Sequence, residues 1–271
     1  MKNKILFSSI CLLLCIFSCK KEEESDNKDF FSIFSNGNLN GVTPSGAVSF
    51  FTNGLYENST RIPTTLDAHF KGDDEYRVAP EVFRINGVNI PITDHNLYQI
   101  PDPYRRLSWE DQRRFQDTIL SFFGRNTTVE VQSEIFGNFT KTFYVPKELK
   151  VSLYLDIREG RIFRNRDLVV NWNADPQNPL PVAIIVHYSG VRSRRINPNL
   201  PDGDINVFRL VPDNGTYTIP ASDLQILPLG GLVKVMVIRG IQEHAESSRG
   251  KHVVINAIAN VSTDDYEVVA E

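Results

Sequence analysis

From Ser45 onward the apolar residues of this chain recur at every second position rather than every third or fourth. That period most constrains what the chain can fold into, because successive side chains of a strand point to opposite faces. Thr64-Thr65-Leu66-Asp67-Ala68-His69-Phe70 alternates without a break, and Ala47 and Phe51 belong to a short apolar run before it. Val82-Phe83-Arg84-Ile85 meets Asn86-Gly87 and then Val88-Asn89-Ile90. Both turn residues tolerate the positive φ of a type I′ turn, so a hairpin is predicted there. Gly137-Asn138 predicts another, joining residues 128–136 to 139–145. Such strands describe an antiparallel sheet with one buried face.

One stretch breaks the alternation. Ser108 is placed to cap a helix whose first turn carries Glu110 and Asp111, which suit the positive end of the helix dipole. Trp109, Phe115, Ile119 and Phe122 give it an apolar side, and Gly124 ends it. Pro146-Lys147-Glu148 then reads as a boundary. Beyond it Val151, Leu153, Leu155 and Ile157 alternate again, and Leu168 to Trp172 form a strand ending in Asn173-Ala174-Asp175. Trp172 is expected in the core. Val182 to Tyr188 is apolar on both faces, as a central strand is. Residues 205–211, 216–219, 232–238 and 253–261 complete about seven strands in roughly 120 residues, the pattern of an immunoglobulin-like sandwich. The predicted fold is therefore mainly β, with two β-sandwich-like domains. The first, residues 43–147, carries the short helix as an insertion; the second, residues 148–271, is immunoglobulin-like.

The N-terminus carries an address. Lys2 and Lys4 precede the apolar stretch from Ile5 to Phe17, and Ser18 stands before Cys19. Residues 1–18 read as a secretory signal, too short for a membrane span of about 20 apolar residues. All three cysteines, Cys11, Cys15 and Cys19, fall in the first nineteen residues. The body therefore has no cysteine for a disulfide framework, a zinc site or a nucleophile.

Ile16-Phe17-Ser18-Cys19 resembles the lipobox of bacterial lipoproteins, with Ile16 where Leu is commoner and Phe17 where a small residue is usual. The resemblance implies that Cys19 is diacylated and becomes the mature N-terminus. The other reading is ordinary secretion with cleavage near Ser18 and a free thiol on Cys19. Lys20-Lys21-Glu22-Glu23-Glu24-Ser25-Asp26 resembles the export signal of lipoproteins of the Bacteroidota, which implies the outer face of the outer membrane. Residues 19–42, polar apart from a patch at Phe30 to Phe34, read as a flexible acidic tether. Each methylene of an acyl anchor buried in lipid contributes about 0.8 kcal/mol.

The second unit adds a resemblance of its own. The Trp-bearing strand with Asn173-Ala174-Asp175, then Asp213-Asn214-Gly215-Thr216-Tyr217-Thr218-Ile219-Pro220 and Ala221-Ser222-Asp223-Leu224 follow in order. Gly230-Gly231-Leu232-Val233-Lys234-Val235 through Arg239-Gly240 closes the series. The series is similar to immunoglobulin-like domains of Bacteroidota surface lipoproteins. It implies a fold and leaves the ligand open.

Motifs for chemistry are sparse. His69, His95, His187, His244 and His252 form no closely spaced metal pair, and His69 and His187 are expected as lone surface or rim histidines. No nucleophile elbow, phosphate-binding loop or dinucleotide fingerprint occurs. Asp202-Gly203-Asp204-Ile205-Asn206 begins like a calcium loop, but Val207 replaces the required Gly and Asp213 the required Glu, so a plain turn is expected. No cofactor and no metal are implied. Five Asn-x-Ser/Thr sequons and Asp117-Thr118-Ile119, which resembles an O-glycosylation motif, carry little weight.

Loss of Lys2 and Lys4 with the signal leaves 27 basic against 33 acidic residues, a mature charge of about −6, which argues against a nucleic-acid partner. Arginine still outnumbers lysine, 18 to 11, and clusters. Arg158, Arg161, Arg164 and Arg166 form one group, and Arg192, Arg194 and Arg195 another; internal pairing is expected for most of them. Tyr104, Arg105, Arg106, Trp109, Arg113 and Arg114 mix aromatic and guanidinium groups as interface hot spots do, and are the candidate partner-binding residues. The sequence thus points to a non-catalytic, lipid-anchored surface protein, an accessory or scaffold subunit of an outer-membrane protein assembly. The alternative is a glycan-binding accessory lipoprotein of a polysaccharide uptake system (SusE-like). A hydrolase with an unrecognised carboxylate site is a third.

Overall fold

The computed structural model describes residues 44–53, 55–56, 64–74, 76–92, 96, 98–100, 108–154 and 160–270. The chain is mainly β and β-sandwich-like. Strands β1 (Gly46–Asn53), β2 (Leu55–Tyr56), β3 (Thr64–Lys71), β4 (Arg77–Val78), β5 (Val82–Ile85), β6 (Val88–Asn89) and β7 (Tyr98–Ile100) precede helix α1 (Trp109–Leu120). Next come β8 (Arg125–Gln132), β9 (Phe139–Val145), β10 (Lys150–Tyr154), β11 (Arg161–Phe163), β12 (Leu168–Trp172) and β13 (Val182–Tyr188). Helix α2 (Gly190–Ile196) leads to β14 (Ile205–Val211) and β15 (Thr216–Ile219), and the one-turn helix α3 (Ala221–Leu224) to β16 (Leu232–Glu246), β17 (His252–Ser262) and β18 (Tyr266–Val269).

Local signals act where they were read. β3 alternates buried and half-buried residues along its whole length. Asn86 and Gly87 both take positive φ, 49° and 78°, and turn β5 into β6. Gly137 (φ 93°) lies between the paired strands β8 and β9, although β8 ends at Gln132 and residues 133–138 make a longer turn. Trp172 is buried. β14 and β15, which follow one another around the turn at Asp213-Asn214-Gly215, do not pair; β14 joins β13 and β15 joins β12, in different sheets.

Three sheets form. The largest runs β11-β18-β16-β17-β1-β3-β4, with β13 and β14 continuing from β16 and β7 added beside β3. Two four-stranded sheets, β6-β5-β8-β9 and β15-β12-β10-β2, supply the facing layers. Register shows that both cover one face of the large sheet: Val48 opposes Ile255, Ile241 opposes Ala257, and Val237 opposes both Val261 and Ile184. These residues join Phe83, Val129, Leu168 and Val170 from the smaller sheets in one apolar core. In the first half the core is aromatic, with Phe70 edge-on to Phe83, Tyr98 and Phe136 at 5.2–6.1 Å between ring centres.

The boundary expected between residues 147 and 148 does not divide this hydrogen bonding. β16 continues past Ile238, where the sequence pattern ends, to Glu246, and pairs with β17 from Met236 to Glu246. β17 pairs in parallel with β1 over eight residues, and β1 pairs with β3. One hairpin therefore belongs to both halves. Its fifteen-residue first strand is on the order of 45 Å long.

Candidate functional site

Helix α1 holds the part of the predicted partner-binding set that is described. Ser108 caps it as expected: its Oγ accepts the Asp111 N–H at 3.1 Å and donates to the Asp111 carboxylate at 2.8 Å. Ile119 is fully buried, Phe115 packs partly into the core, and Phe122, just past the helix, meets Phe50 edge-on at 6.0 Å. That anchorage leaves Glu110, Arg113, Arg114 and Asp117 on the exposed side, around an open concavity shared with Val88 and Thr118. Arg114 pairs with Asp111 one turn back (3.1 Å) and lies 5.7 Å from the Phe115 ring centre. Arg113 has no ionic partner among the described residues. Trp109 opens the helix, while Tyr104, Arg105, Arg106 and Cys19 lie outside the described residues, as does the expected tether.

In the other arginine clusters several members pair within the chain, as expected of most, while staying at the surface. Arg192 meets Asp265 and Arg194 meets Asp202, each at 2.8 Å. Arg164 donates to the Leu227 carbonyl, and Arg166 sits over the Phe163 ring. Arg158 lies outside the described residues. The loop that began like a calcium site spends its carboxylates on its own chain, since Asp202 holds Arg194 and Asp204 accepts the Gly190 N–H. His187 lies inside β13 rather than at a rim; it is buried, with Nδ1 2.8 Å from the Asn206 side-chain oxygen. His95 is outside the described residues.

The densest polar site was missed by sequence reasoning. Arg239 of β16 is fully buried. Its Nη2 donates to the Asp213 carboxylate and the Asn173 carbonyl, both at 2.6 Å, and its Nη1 to the Lys147 carbonyl at 3.1 Å. Asp213 also accepts from Trp172 Nε1 and Asn178 Nδ2. Asp175, buried beside it, accepts the Tyr144 hydroxyl and the Lys147 N–H. Burial, and next the bond to Asp175, hold the Tyr144 phenol protonated far above its ordinary range. Tyr144 and Lys147 come from the first half, and the remaining members from the second. All the carboxylates are occupied by donors of the chain, so the cluster fastens rather than binds. In the sequence Asp213 looked like a turn residue and Arg239 like the end of a strand; only the buried pairing marks them.

On the outer face of the large sheet, Gln242, Asn256 and Ser49 are hydrogen-bonded in a row across β16, β17 and β1, and Asp67 of β3 opposes Ser49. Burial lifts the Asp67 carboxyl to about 6. On the same face His69 is pushed below its ordinary value by burial and then by Arg77 and Lys71. Among the described residues no three His, Cys, Asp or Glu side chains gather as a metal-ligand set. No helix among them is long and apolar enough to cross a membrane. No protein-family model matches the chain, and no curated protein matches it.

Proposed function

We propose that this is a lipid-anchored, non-catalytic protein of the bacterial cell surface, attached through Cys19 and acting as an accessory or scaffold subunit of an outer-membrane protein assembly. The observation that supports docking is the exposed side of α1. Arg113 lacks an ionic partner among the described residues, and Arg114 has only the weak pair with Asp111, on a helix whose opposite side is fixed in the core. A surface ion pair contributes about 0–1 kcal/mol, so both guanidinium groups are free to meet a partner's carboxylates at little cost. The address rests on the resemblance of Ile16-Phe17-Ser18-Cys19 and the lysine–acid run to lipoprotein signals. A glycan platform finds less support: among the described residues Tyr76 is the one aromatic in the set of strongly exposed large apolar side chains.

Fractionation of cells carrying Cys19→Ala tests the anchor, with release into the soluble fraction expected. Protein that stays membrane-bound would overturn it. Protease shaving of intact cells tests the outward orientation. For docking, a stoichiometric outer-membrane protein should copurify with the native protein and be lost with Arg113→Glu/Arg114→Glu. No stoichiometric partner, together with retention on a polysaccharide column, would overturn the assembly reading.

A further inference from the structure

Two short segments at the end of the molecule where β16 begins carry apolar side chains that no core takes up. Val191 and Ile196 of α2 are 60% and 69% exposed, and Ile226 and Leu229 of the turn before β16 are 57% and 43% exposed. Arg194 and Arg195 lie on the same short helix, both exposed. Arg194 has only the surface pair with Asp202, and Arg195 has no ionic partner among the described residues. Scattered exposed apolar residues need no explanation; four on two segments that meet at Leu232, with arginines on one of them, do.

The backbone under these side chains is fixed. Ser193 is fully buried, and its Oγ accepts the Leu232 N–H at 2.9 Å, which ties α2 to the start of β16. A Cβ on Gly190 would stand 2.2 Å from the Asp202 carbonyl oxygen, and one on Gly231 would stand 2.6 Å from the Tyr188 ring, so both segments approach the sheet as only glycine allows. The buried Tyr188 donates its hydroxyl to the Pro201 carbonyl at 2.7 Å. A surface held this way loses little conformational entropy when something binds to it.

Its position is equally specific. Ser45 donates to the His252 carbonyl, so residues 1–43 join the body beside the tip of the β16–β17 hairpin. The exposed apolar end lies at the other end of β16, on the order of 45 Å away.

We propose that this end is a docking surface for a segment of a partner protein that is apolar at its centre and carries carboxylates at its flanks. The apolar side chains supply desolvated contact, and Arg194 and Arg195 select the flanking charge. The assignment rests on the anchored-subunit reading only for its orientation, away from the membrane and from α1.

The test uses the processed chain carrying Cys19→Ser and two labelled peptides. Both have a leucine-rich centre; one has glutamate flanks and the other lysine flanks. Fluorescence anisotropy should show saturable binding of the glutamate peptide at least about tenfold tighter than the lysine peptide, a difference of about 1.4 kcal/mol. Val191→Asp and Leu229→Asp should each weaken it at least about tenfold, and Arg195→Glu should weaken it and flatten its salt dependence. These residues are exposed, so unfolding midpoints should not move; Arg249→Glu, an exposed charge at the far tip of the β16–β17 hairpin, should bind as the parent does. Binding of neither peptide, equal binding of both, or binding unchanged by Val191→Asp would overturn the proposal. So would a dimer in sedimentation equilibrium, or flotation with anionic phosphatidylglycerol vesicles, that Val191→Asp abolishes. The Cys19→Ala fractionation is read separately, so failure of the anchor and failure of this surface are distinguishable.

Discussion

Replacing Arg239 by Met tests whether the buried cluster fastens the two halves. The change keeps an apolar stem out to about the position of Nε and removes the guanidinium with its charge and donors. Asp213, 3% exposed at its side chain, would lose its cationic contact with Arg239, the only one within 3 Å among the described residues, and the Lys147 and Asn173 carbonyls would lose their donor. Removing one partner of a buried ion pair costs about 3–5 kcal/mol, mostly through the charge left behind. One term offsets part of this: the buried Nε–H of Arg239 has no partner among the described residues, and relief of such a group returns about 1–3 kcal/mol. A net loss of about 2 kcal/mol is expected, read as a lower urea midpoint for the whole chain. Asp213→Asn added to Arg239→Met should recover part of it, because the neutral amide oxygen still accepts from Trp172 Nε1 while the stranded charge is gone. A single variant within 1 kcal/mol of the parent, or a double variant no better than Arg239→Met alone, would refute the argument that an uncompensated buried charge dominates.

Asp67→Asn should stabilise the protein at pH 8 and leave it unchanged at pH 4. The folded carboxyl, lifted by burial to about 6, pays no penalty below its unfolded value of about 3.9 and the full penalty above 6; the shift corresponds to about 3 kcal/mol, which partial exposure reduces to about 1–2. Parallel urea curves for parent and variant across that range, offset by a constant, would show the carboxyl to be solvated. Gly231→Ala should cost about 1–3 kcal/mol, since the new methyl meets the buried Tyr188 ring at 2.6 Å; thermal melts that coincide within about one degree would mean the ring has room to move.

What the sequence disclosed is what short-range physics decides. Alternation gave the faces of β3, β10 and β12, Asn86-Gly87 gave a hairpin, and Ser108 with its early acids gave α1. The second half of β16 stayed hidden because Arg239, Gln242, Glu243 and His244 look like a polar loop. They are strand residues because β17 pairs with them, and β17 is held in turn by β1, some two hundred residues earlier in the chain. A parallel contact of that separation leaves no local pattern. Of the site residues, Arg113 and Arg114 were legible as exposed charge on a helix. The apolar surface around α2 was not, because nothing in the local pattern separates Val191 and Ile196 from core residues, and only their exposure does.

The place of Arg239 follows from the architecture. The sheet β6-β5-β8-β9 ends its cover of the large sheet at Val145, and β15-β12-β10-β2 resumes it at Lys150, so the chain crosses between them over residues 146–149. Where one covering sheet stops and another starts, backbone carbonyls leave their ladders while still buried, and each must find a donor. Those of Lys147 and Asn173 face the middle of β16 at this seam. A guanidinium offers five N–H groups in a rigid fork and accepts none, so one side chain can serve two carbonyls and a carboxylate together. Lysine presents three donors from a single atom and could not span them. The charge that comes with the fork then requires Asp213, and Asp213 in turn recruits Trp172 and Asn178. The buried ion pair is thus a consequence of covering one long sheet with two short ones.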